Sequence, residues 1–233
     1  MREKVRSQRL VRRVIVWVVG LFILAMGVAI SINAYLGVSP VSSLGYMLSR
    51  IDYAYRGNRA WSTGTFINIT FCFFILIQLI ILRKKFKPIR IAQIVASTMF
   101  GYFVDLARWI IGDFRIPTYL GQLTMLAISV VIIALGIILF VDAKISPLPL
   151  EGLILTIVQV VPKSKFHIIK MMLDSTLVVT SVALSFIFLG SLVGIREGTI
   201  IAAIFVGRVM PWIRKAVDPL LRKIDLYRPK EES

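Results

Sequence analysis

Two serine–proline steps carry the most suggestive chemistry in this sequence. Ser39-Pro40 and Ser146-Pro147 each precede a glycine at the same spacing, Gly45 and Gly152, and stand 107 residues apart. Serine is a favoured residue just before a helix, and proline suits the first helical position because it has no N–H to leave unpaired. Each step therefore predicts a short helix that begins abruptly. Such a helix presents free N–H groups and the positive end of its dipole, which suit an anion or a polar small molecule. The alternative is that both ends pack on neighbouring helices and are satisfied there.

Few other residues of the apolar runs carry charge. Asp174 and Arg208 are each expected about 12 Å deep at 1.5 Å per residue, where they could pair. A fixed structural pair, or an arginine reaching back to the interface, is the alternative. Asp174 aligns near Asn68 and Arg208 on Tyr102, so the counterpart of the charged pair is neutral and polar. Glu151 falls in the first turns of the second short helix, where its counterpart is Leu44. It is either a dipole-stabilised carboxylate or a protonatable coupling group. The candidate substrate-binding residues are thus Ser39, Pro40, Asn68, Tyr102, Ser146, Pro147, Glu151, Asp174 and Arg208.

These residues recur because the chain states one pattern twice. Ala25, Gly27, Asn33 and Ala34 are repeated as Ala134, Gly136, Asp142 and Ala143, an offset of 109. Arg90, Gly101 and Arg108 are repeated as Arg196, Gly207 and Arg214, an offset of 106. Duplicated membrane segments with interrupted helices mark transporter-like architectures. The composition agrees, at 58% hydrophobic with a mean hydropathy of +0.84. Six spans are expected at 13–35, 62–82, 91–111, 120–141, 166–190 and 197–216, with Ser-Pro segments at 39–51 and 146–161. Repeat one covers 13–111, repeat two covers 120–216, and 217–233 is a basic tail of a single membrane domain.

Charge decides between spanning and re-entrant short segments. With re-entry, 21 basic residues collect on one side and six on the other: Arg50, Arg56, Arg59, Arg108, Arg115 and Arg196. Were both segments to span, the 83–90 basic cluster would change sides, against the positive-inside rule. The expected fold is therefore an all-α polytopic membrane protein of two inverted three-helix repeats, each with a Ser-Pro re-entrant or broken helix. Both termini are expected in the cytoplasm, and the first apolar run is read as a retained membrane helix rather than a signal peptide.

The remaining features narrow the class. One histidine and one cysteine, Cys72, make a His/Cys metal site improbable and an intrachain disulfide impossible. No P-loop, HExxH or GxSxG motif occurs, so neither an enzyme nor a cofactor is expected. The net charge of +16 mostly reflects the one-sided basic bias and does not point to nucleic acid. Asp105 and Arg108 suggest a surface i,i+3 ion pair. Asn33 and Asp142 read as helix-end polar groups. Gly20, Gly27, Ala134 and Gly136 offer small faces for close helix packing. Asp218-Pro219 suggests the start of an amphipathic interfacial helix.

The run Ala34-Tyr35-Leu36-Gly37-Val38-Ser39-Pro40 resembles the YczE/YyaS/YitT family of bacterial integral membrane proteins, and Gly198-Thr199 leading to Gly207 fits the same pattern. A Trp-Asp pair often follows the proline in that family, where this chain has Val41-Ser42. The resemblance implies a bacterial cytoplasmic-membrane protein and supplies no catalytic residues. The leading expectation is a small-solute transporter or channel-like permease, its polar or anionic solute held near the midplane between two half-helix ends. The alternatives are an accessory or substrate-capturing subunit and a lipid-handling protein. Expected partners are the lipid bilayer, the solute, and a second copy or another membrane protein.

Overall fold

A chain surrounded by lipid must satisfy its backbone N–H and C=O groups internally, so long apolar runs become helices. The computed structural model describes residues 2–83, 92–161, 164 and 166–223, and every long element among them is helical. In order these are α1 (Arg2–Asn33), α2 (Pro40–Arg56), α3 (Thr63–Leu82), α4 (Ala92–Ile111), α5 (Tyr119–Asp142), α6 (Pro149–Val160), α7 (Phe166–Leu189) and α8 (Glu197–Lys223). A 3-10 turn, Gly57–Arg59, links α2 to α3. Residues 84–91, with most of the expected basic cluster and Arg90, lie outside the described residues, as does the tail beyond 223.

Among the described residues, five helices are long and apolar enough to cross a membrane: Leu10–Asn33 within α1, then α3, α4, α5, and Ile168–Leu189 within α7. The sixth expected span, 197–216, falls short. Glu197, Arg208, Arg214 and Lys215 put too many charges into the apolar part of α8. Nor does Asp218-Pro219 begin a new helix, because α8 runs unbroken through Pro211 and Pro219 to Lys223.

The two Ser-Pro steps fold differently from each other. α2 begins at Pro40 as expected but continues to Arg56, beyond the expected end at 51. Ser39 occupies the cap position without a side-chain cap bond; its carbonyl instead accepts from the Ser42 N–H at 3.0 Å and the Ser42 hydroxyl at 3.1 Å. In the second copy the helix begins at Pro149, not at Pro147. The sequence there reads Ser-Pro-Leu-Pro, and a residue before proline is pushed out of the helical region. Leu148 is accordingly extended, with ψ 156°. The Ser146 carbonyl accepts a hydrogen bond from the Trp17 indole at 3.1 Å.

The central pair is α1 on α5. A Cβ added to Gly20 would meet Phe140, one on Gly136 would meet Leu24, and one on Gly27 would meet Ile133. Along α1 the partners on α5 run backwards, so the two helices are antiparallel. The last two contacts are mates of each other, since Leu24 and Ile133, like Gly27 and Gly136, are 109 residues apart. Small residues permit this approach, and packing is what holds helices together where lipid is as apolar as leucine. Flanking pairs also match: α1 with α4 and α5 with α8, then α2 with α7 and α3 with α6. Asn33 and Asp142 end α1 and α5 as expected. Past them Tyr35 and Lys144 both adopt left-handed φ, 57° and 52°, and close the helices with the same hydrogen bonds 109 residues apart. The Asn33 amide then ties to the Gly112 and Phe114 carbonyls at 2.8 and 3.0 Å, and Asp142 holds Arg214 at 2.7 Å.

Candidate functional site

α7 turns one stripe inward, in which Lys170, Asp174 and Val178 follow at four-residue spacing. Opposite stand Thr199, Ile200, Ile204 and Gly207 of α8. The two stripes do not close on each other. They line a cavity of about 580 Å³ whose further wall is Pro40, the first residue of α2. That volume falls in the ordinary range for small-molecule sites. The cavity is walled mainly by Met171, Val178, Val179, Ile200 and Ile204, so its few polar groups stand out.

Asp174 Oδ2 meets the Lys170 ammonium at 3.2 Å, while Oδ1 is hidden from solvent without a partner. The expected Asp174–Arg208 pair does not form. A lysine one turn earlier on the same helix is reached without a tertiary contact, whereas the Arg208 side chain is exposed. Glu151 lies in the first turn of α6 as expected, and the charges of both Lys170 and Asp174 bear on it. Its Oε2 also lacks a partner. Thr199 is 1% exposed and its hydroxyl is unpartnered. Pro211, having no N–H, cannot donate to the carbonyl of Gly207 four residues earlier. A Cβ on Gly207 would meet nothing within 4 Å, so that backbone faces open space.

The start of α6 is otherwise occupied by packing. Gln78 donates to the Pro149 carbonyl and to Gln93 Oε1, each at 3.0 Å, and the Gln93 amide fills the space beside Gly152. Of the expected site residues, Pro40 and Asp174 line the cavity, and Glu151 stands in the first turn of α6. Ser39, Ser146 and Pro147 belong to the extended links before the short helices. Asn68 and Tyr102 lie away from the cavity. Asn68 fills the α3–α4 contact against Gly101, and Tyr102 is 70% exposed.

Five contributors escaped the sequence reading. Lys170 was legible as Lys-x3-Asp and Pro211 as Gly-x3-Pro. Gln78 and Gln93 were visible as amides inside apolar runs. Nothing in the local sequence marks Thr199 as facing a cavity.

Asp105 also differs from expectation. It does not pair with Arg108; its carboxylate accepts the Ser62 hydroxyl at 2.5 Å and the Gly64 N–H at 2.8 Å, holding the first turn of α3. Orphan N–H groups at the start of α3 favour a carboxylate there. Arg108 donates instead to the Thr63 hydroxyl.

A family model described as "Family of unknown function (DUF6198)" matches residues 11–215, and the chain belongs to that family. No curated protein and no solved structure matches the chain.

Proposed function

We propose that this member of the DUF6198 family is a small-solute permease of the bacterial cytoplasmic membrane, with its solute site in the α7–α8 cavity. α2 and α6 act as re-entrant half-helices of two inverted repeats, with both termini cytoplasmic. The antiparallel α1–α5 pair and its reciprocal glycine contacts support that arrangement. The runs Ala34–Pro40 and Gly198–Gly207 support kinship with the YczE/YyaS/YitT proteins. The reading involves no catalytic step and no cofactor.

One observation carries the proposal. The Lys170–Asp174 pair stands in an apolar-walled cavity bounded by the start of α2, with the first turn of α6 beside it. Charges in such surroundings are retained for a partner or a water-filled path. At the cavity wall the Asp174 carboxylate and the Ser175 hydroxyl accept hydrogen bonds beside the Lys170 ammonium. The solute is therefore a small molecule bearing N–H or O–H donors, with an apolar body against Ile200 and Ile204.

The purified protein is screened by thermal unfolding against amines, amino acids, nucleosides, vitamins and small anions, then reconstituted in liposomes for flux. A donor-bearing solute at 100 times its Kd should stabilise the fold by about 2.7 kcal/mol. Asp174→Asn should abolish that gain while costing under about 1 kcal/mol of stability, since its ion pair is partly exposed. Binding without flux would turn the reading toward a capture subunit. Silence across the panel with folded protein would favour an accessory role, for which the exposed Met172, Phe186 and Ile187 of α7 provide a docking face.

A further inference from the structure

A second recess lies where α2 ends and α3 begins, bounded by the last turns of α4. Ser49, Arg50 and Tyr53 of α2, Trp61 of the link, Thr63 of α3 and Arg108 of α4 enclose about 490 Å³. Its walls are polar and aromatic where those of the α7–α8 cavity are aliphatic.

The recess holds two guanidinium groups, and the carboxylates around it are already engaged. Asp105 is committed to the start of α3. Asp52 accepts the Trp61 N–H at 2.7 Å and pairs with Arg56 at 3.7 Å. Among the described residues neither Arg50 nor Arg108 has a carboxylate partner. Arg108 is fixed by a neutral group, the Thr63 hydroxyl, which itself meets the Ser49 hydroxyl at 3.1 Å. Arg50 lies over the Tyr53 ring at 5.5 Å. Both guanidinium groups line the same recess. Two cationic side chains lining one recess without a carboxylate partner favour the entry of an anion.

We infer that this recess binds an oxyanion group, a carboxylate or phosphate, on a molecule whose body lies against Trp61 and Tyr53. Arg108 supplies a forked donor held in place from behind. Arg50 supplies a second charge from the rim over Tyr53, and Trp61, with the Arg56 guanidinium 5.7 Å from its ring centre, adds an aromatic wall. A free small acid and an anionic lipid headgroup share this chemistry. The inference does not rest on the α7–α8 reading, since the recess has its own walls and charges.

The test uses the full-length protein in phosphatidylcholine nanodiscs, with and without phosphatidylglycerol, and inorganic phosphate, glycerol 3-phosphate and benzoate as soluble probes. Thermal unfolding and titration calorimetry are read on wild type, Arg50→Gln and Arg108→Lys. Arg50→Gln removes an exposed charge that only overlies Tyr53, so it tests binding without threatening the fold. Arg108→Lys keeps the charge and loses the fork. A soluble probe that binds wild type and weakens about tenfold in each variant supports a free acid as occupant. Stabilisation by phosphatidylglycerol alone, lost in Arg50→Gln, supports the headgroup. Absence of both effects in folded wild type overturns the inference, as does equal binding by all three proteins.

Discussion

The seam between α3 and α4 is closed, and the corresponding gap between α7 and α8 is open, although cognate residues face each. At an offset of 106, Gly64, Asn68, Gly101 and Asp105 correspond to Lys170, Asp174, Gly207 and Pro211. In the closed seam Gly64 lets the Gly101 carbonyl and the Asp105 carboxylate come against its backbone, and Asn68 fills the space beside Gly101. In the open one each of these devices is replaced. A long charged side chain stands where Gly64 allowed close approach. A carboxylate replaces the amide and turns to Lys170 on its own helix. A proline stands where Asp105 held the neighbouring helix start. One helix pair can thus be sealed by packing while its counterpart is left apart, by three changes at four matched positions.

The sharpest way to break this comparison is to give the closed seam a side chain. Gly64→Ala places a Cβ on the Gly101 carbonyl and Asp105, and should cost about 2 kcal/mol, read as a lower unfolding temperature in detergent. Next in size is Asp105→Ala, which strips the α3 start of its carboxylate and should cost about 1 kcal/mol. Smallest is Gly207→Ala. With nothing near its Cβ it should leave stability unchanged or raise it by up to about 1 kcal/mol through helix propensity. A Gly207→Ala loss as large as that of Gly64→Ala would show that the gap is filled in the working protein.

Much of the frame was readable from sequence because duplication writes it twice. Asn33 and Asp142, the small faces of α1 and α5, and the helix start at Pro40 each follow from local rules. The start of α6 did not, because Leu148 stands before a second proline that outweighs Pro147. The partners of Asp174 and Asp105 were misjudged for opposite reasons. Asp174 took the charge one turn back on its own helix, whereas Asp105 ignored Arg108 nearby in sequence and reached orphan N–H groups on another helix. Both choices depend on which helix faces lie together, and spacing along one chain does not carry that.

α8 is held near both ends. At its start the Gly198 N–H bonds the Leu36 carbonyl at 2.6 Å; near its finish Arg214 grips Asp142 and Leu221 packs on Ile138. Between those anchorages Pro211 removes a rung from the hydrogen-bond ladder. Mechanically this is a beam also propped along its length by Met210 and Ile213 against Ile138, with one tie missing at Pro211. A member is most compliant where a tie is missing, so the absent rung at Pro211 leaves α8 most easily bent beside Gly207.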